Sequence, residues 1–81
     1  MFFRRTRPSV PIEAGQSFLR RRSDDFVEVA RVLGVSPDSF GIPHVRYELT
    51  VEKPQSHGVY IAGTKVLSIS AFAETYSAAS A

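Results

Sequence analysis

The chain has 81 residues, ten Lys+Arg against eight Asp+Glu, a net charge of +2, and neither cysteine nor tryptophan. A chain of this size forms one domain that hides only about 60% of its extended-chain surface, so its core is small. Without cysteine, disulfides and thiolate metal sites cannot staple the fold, and an apolar share of 43% argues against global disorder.

The charge is unevenly placed. Residues 1–22 carry six arginines (Arg4, Arg5, Arg7, Arg20, Arg21, Arg22) against Glu13, a balance of +5. Residues 23–81 carry Arg31, Arg46, Lys53 and Lys65 against seven acids, a balance of −3. A basic arm on a mildly acidic body is the expectation. Residues 1–14 read as that arm, because Pro8 and Pro11 remove backbone donors and favour extended chain. Its arginine forks suit phosphate oxygens, although a merely solvated terminus is the plainer reading. No hydrophobic segment follows the arginines, so a signal peptide is not expected. No apolar run nears the roughly 20 residues of a membrane helix. A cytoplasmic protein is the expectation.

An ordered body is expected over residues 15–76. Residues 16–21 fit a first strand with Phe18 or Leu19 pointing inward. Ser23, Asp24 and Asp25 favour a tight turn. Arg20, Arg21 and Arg22 beside those aspartates are either simple surface pairs or a shaped anion site.

Residues 26–53 organise the chain as two apolar-rich segments, 26–35 and 44–53, around a turn-rich insert. In the second, Val45, Tyr47, Leu49 and Val51 alternate with His44, Arg46, Glu48, Thr50 and Glu52, the period of a strand with one wet face. The first is ambiguous. Val27, Val29 and Leu33 share one parity and match the apolar side of 44–53, with Arg31 breaking that face. Phe26, Val29, Ala30 and Leu33 also fit helical spacing, and residues 30–39 resemble the first helix and turn of a bacterial helix-turn-helix. The strand is preferred. Gly41 and Pro43 would truncate a recognition helix begun at Pro37, and the valines lower helix propensity. Residues 36–43 then form a hairpin loop in which Phe40 and Ile42 are expected to fold back over the body.

Residues 52–63 read as a second loop with a short edge strand at 58–61, and residues 64–70 as a last strand. Ser70 is a candidate cap for a helical turn whose Phe72 and Tyr76 plug one end of the core. The tail 77–81 is expected to fray.

This order of elements resembles an SH3-like small β-barrel of four to five antiparallel strands with a short C-terminal helical turn, an all-β fold. Gly41-Ile42-Pro43-His44 and the stretch from Ser70 to Tyr76 are also similar to those of short bacterial proteins, a kinship that implies no activity. The surface aromatics and acids of an SH3 peptide groove have no match here, so the resemblance implies no peptide binding.

Chemistry-bearing motifs are sparse. His44 and His57 are the only histidines and have no metal-ligand spacing. Neither a nucleophile elbow nor a phosphate-binding glycine loop is present. No enzyme, cofactor or metal is expected. The leading functional reading is a nucleic-acid or anion-binding module, with Arg4, Arg5, Arg7, Arg20, Arg21 and Arg22 on phosphates and Tyr47, Tyr60 or Phe40 available to stack a base. Arg31 is either a rim residue whose head reaches water or Glu48 or a cation displayed in a groove beside Tyr47 for nucleic acid or a carboxylate; an acidic protein is the other partner expected. The alternative is a protein-interaction or self-assembly domain using an edge strand with Phe40, Ile42 and Ile61, and a second alternative is a helix-turn-helix DNA-binding regulator.

Overall fold

The computed structural model describes residues 11–53, 55 and 58–78, so Arg4, Arg5, Arg7 and His57 lie outside the described residues. The described chain forms β1 (Ser17–Arg21), β2 (Val27–Pro37), β3 (Pro43–Lys53), β4 (Gly58–Ser68), α1 (Ile69–Thr75) and β5 (Ser77–Ala78). The strands make one antiparallel sheet in the order β4-β3-β2-β1-β5. The protein is mainly β, with a short C-terminal helix, as the alternation in 44–53 suggests. The expected barrel is not closed: the strands form an open sheet with β4 and β5 as its two edges.

The segment that a helix-turn-helix needs as helix is β2. It is held from Val27 to Pro37 by a ladder to β3 that ends where Pro37 faces Pro43. Proline has no N–H to give, so it sits where the ladder stops. The β1–β2 turn is built from the expected aspartates. The Asp24 Oδ1 accepts from the Phe26 amide at 3.1 Å, and Asp25 takes a positive φ of 71°.

The inward parity of β2 differs from the expectation. Val32 faces Tyr47, Ala30 faces Leu49 and Arg31 faces Glu48, so the core side of β2 is Glu28, Ala30 and Val32. Val27, Val29 and Arg31 lie on the other face. The register to β1 explains this: Phe18 faces Ala30, and the small alanine leaves room for the phenyl ring and for the helix beyond it. A bulge between Val32 and Gly34 then switches the parity, so that Val35 faces Val45. A bulge of this kind bends a strand and increases its twist.

Three further boundaries move. The two short strands expected within 58–70 are one strand, β4, broken by a bulge opposite Leu49 and Thr50 where Gly63 has a φ of 99°. The helix cap is Ser68, whose Oγ accepts from the Ala71 amide at 3.2 Å. Residues 77–78 pair with β1 as β5 instead of fraying, with Leu19 facing Ser77 and Phe18 facing Ala78. At the other end Ile12, expected in the arm, packs against the core.

α1 crosses beneath β3 and β4 and delivers Phe72, with no exposed surface, to the centre of the core. Phe72 meets Phe18 and Tyr47 edge-on, at 5.2 Å and 5.1 Å between ring centroids, and Tyr76 at a tilt, at 4.9 Å. Edge-to-face rings add attraction to the area they bury. Val32, Val45 and Ala30 close the cluster. The expected plug by Phe72 and Tyr76 is therefore the core itself. Phe72→Ala is expected to destabilise the fold by about 3–5 kcal/mol, measured by urea unfolding, with the largest loss of hydrogen-exchange protection in α1 and β5.

Candidate functional site

Burying the Glu28 face of β2 places a carboxylate against the core. Glu28 is 8% exposed. The Tyr76 hydroxyl donates to its Oε1 at 3.1 Å, and Arg20 Nη1 donates to its Oε2 at 3.2 Å. Arg22 Nη1 is 3.6 Å from the same oxygen. Arg22 also pairs with Asp24 at 2.9 Å and lies over the Phe26 ring at 5.5 Å from its centroid. A buried carboxylate persists only when paired and hydrogen-bonded, and here two arginines and a phenol meet that requirement. The network joins β1, β2 and the residue that leads into β5. It is a structural clasp. Two of the three arginines of the 20–22 cluster are therefore committed to acids of the chain itself.

The remaining expected site residues are scattered. Arg21 and Arg31 are exposed on the outer face, facing Val27 and Ser17 across the β1–β2 ladder. Four residues separate their ladder positions, so they make no joint fork for one phosphate. Arg31 also stands opposite Glu48, where cross-strand opposite charges attract. Tyr47 is 4% exposed and packs against Phe72 and Tyr76, so it offers no face to a base. Its place at the centre of a strand paired on both sides puts it in the core. Among the described residues, seven basic side chains stand against eight acidic ones, so the body is not a basic surface. No group of three or more metal-ligating side chains occurs among them. No described helix is long and apolar enough to cross a membrane.

The exposed apolar residues are better organised. β4 is an edge strand, and Val59, Tyr60 and Ile61 are consecutive and 60%, 58% and 75% exposed. Val66 follows at 56%, and Lys65 is the one charged residue of the strand. An edge strand presents unpaired N–H and C=O groups to any chain that can align with it. Soluble proteins commonly blunt such edges with charge, proline or a bulge. β4 has one lysine and the bulge at Gly63, and neither falls within the stretch from Gly58 to Ile61.

A second exposure lies at the β2–β3 loop, residues 38–42. Asp38 Oδ1 accepts from the amides of Phe40 at 2.8 Å and Ile42 at 2.9 Å. The Asp38 amide donates to the Ile42 carbonyl at 2.9 Å. Gly41 supplies a φ of 81° that other residues rarely adopt. Those two side-chain bonds, the Ile42 one foremost, and the nearby His44 ring hold the Asp38 carboxyl below its ordinary value. Phe40 does not fold back over the body: it is 85% exposed, and Ile42 is 49% exposed. With the loop backbone tied by Asp38, the phenyl ring is carried outward on an ordered base.

Two outcomes check this account. Asp38→Ala is expected to speed amide exchange at Phe40 and Ile42 while leaving β4 unchanged, read by residue-resolved hydrogen exchange. Burial, with the neighbouring Tyr47 hydroxyl and the Glu28 carboxylate, raises the Tyr76 phenol above its ordinary 10.0. The folded state therefore holds a proton that the unfolded state releases above that pH. The contribution is complete below about pH 10 and is lost as pH rises further. The urea midpoint of the native chain is expected to fall above that pH, and Tyr76→Phe to flatten the alkaline limb. Compared with known family models, curated proteins and solved structures, the chain matches none.

Proposed function

We propose that the chain is a small protein-binding module of SH3-like element order, with no reaction of its own, whose binding element is the β4 edge. The observation that carries this reading is the run of Val59, Tyr60 and Ile61, exposed together on a strand with an open ladder. Strand addition draws affinity from main-chain hydrogen bonds and specificity from alternate side chains, and β4 offers both. The order of the elements, with a helical turn leading into a last strand beside β1, supports the SH3-like reading, as do the bulges that bend β2 and β4.

A second reading remains the nucleic-acid or anion module. It is favoured by the positive excess of Arg4, Arg5 and Arg7 ahead of a body with slightly more acids than bases, to which Arg21 adds an exposed cation. That reading no longer draws on Tyr47, although Tyr60 and Phe40 stay exposed for stacking, and Arg20 and Arg22 serve it only by leaving Glu28.

The two readings separate on paired variants. Ile61→Lys adds charge to the edge without touching the core, and a triple Arg4, Arg5 and Arg7 to Ala variant removes the excess. Binding to tagged protein is measured for both, alongside titration with a fluorescent single-stranded oligonucleotide. Edge binding predicts a specific captured protein that is lost with Ile61→Lys and kept in the triple variant. Oligonucleotide affinity that falls steeply with salt and vanishes in the triple variant alone would replace it with the arginine reading.

A further inference from the structure

The register of β4 carries a consequence for what can align with it. Opposite Leu49 and beyond, toward Ser68, the outer-face residues of β4 are Thr64 and Val66, because they face Glu48 and Arg46. On the other side of the bulge the outer residues are Val59 and Ile61, which face Glu52 and Thr50. The corresponding inner residues are Lys65 and Leu67 on one side and Tyr60 on the other, facing Tyr47, Val45 and Val51. The bulge thus exchanges odd and even positions between the two halves of one strand.

An antiparallel neighbour must match faces residue for residue, because a one-residue slip turns every side chain over. A regular strand could match only one half of β4. A second β4, related by a two-fold axis between Ala62 and Gly63, matches both: each half lies along the opposite half of its copy. We propose that the occupant of this edge is a second copy of the same chain, paired β4 to β4 with Val59 opposite Val66. This rests on the β4 edge being the binding element.

The pairs this register makes are compatible in chemistry as well as in face. Outside, Val59 meets Val66 and Ile61 meets Thr64, two of each by symmetry. Inside, Tyr60 meets Lys65, so the lone charge of each strand faces an aromatic ring, which attracts it, and not its own copy. A two-fold axis through Lys65 would instead oppose two ammonium groups at a cost. The arrangement continues the antiparallel sheet across the axis and removes the exposed edge from both copies. It is also closed, since each chain spends its one long edge on the other.

Sedimentation equilibrium and cysteine pairing test it on the full chain. The native sequence has no cysteine, so introduced thiols report cleanly. The double variant Val59→Cys with Val66→Cys is expected to form a covalent dimer on mild oxidation. Val59→Cys alone is expected not to, because two copies of position 59 lie about 23 Å apart in this register. The wild type is expected to sediment as a dimer, and Ile61→Lys to raise its dissociation constant about 10-fold or more with an unchanged circular dichroism spectrum. A wild type that stays monomeric at every concentration overturns the pairing, as does a covalent dimer of Val59→Cys alone. If that monomer still captures a protein that Ile61→Lys loses, only the identity of the occupant falls. If neither copy nor captured protein engages β4, the edge reading falls with it.

Discussion

The fold depends on one ring being surrounded. Phe72 reaches the core from a helix of seven residues, too short to hold its own shape in water. It is retained because Phe18, Tyr47 and Tyr76 enclose it, and they meet only if Ala30 lies between β1 and β3 on the inner face. The register of three strands, the parity of β2 and the position of α1 are thus one constraint. The clasp at Glu28 follows from it: once Ala30 and Val32 turn inward, Glu28 must as well, and Arg20, Arg22 and Tyr76 satisfy it.

Much of this is legible in the residues. The alternation of Val45, Tyr47, Leu49 and Val51 places β3, and the spacing of Phe72 and Tyr76 identifies the plug. The parity of β2 is harder, because Val27-Glu28-Val29-Ala30-Arg31-Val32 carries one charge on each parity. Counting apolar bulk favours Val27 and Val29. What decides is a contact far along the chain, Phe18 and Phe72 needing the space that Ala30 leaves. A local clue was present: a tight turn at 23–25 brings Arg20 opposite Glu28, so a buried Glu28 had a partner waiting. The bulges at Gly34 and Gly63 leave only a glycine as their trace, and a glycine alone does not say which residue is left over.

The site shows the same division. An exposed arginine and a paired arginine look alike in sequence, so the cluster at 20–22 reads as a binding surface until Glu28 and Asp24 are seen to occupy two of its members. Tyr47 reads as a stacking residue until its strand proves to be paired on both sides. Conversely, an edge strand at 58–61 is legible in the residues, but its run on to Ser68 and the exposure of Val59, Tyr60 and Ile61 together come only from the sheet. The strand that most resembles core in composition is the one left at the margin. That inversion supports reading β4 as a surface for another polypeptide.

The most direct measurement is amide hydrogen exchange along β4 as a function of protein concentration. Amides of β4 that point toward β3 are expected to exchange slowly throughout. Those that point away are expected to exchange quickly in dilute solution and to slow as the chain is concentrated. Slow exchange of the outward amides at every dilution would mean that the edge is already covered within one molecule. Fast exchange at every concentration, with or without another protein, would mean that nothing aligns with it. Either result contradicts the account.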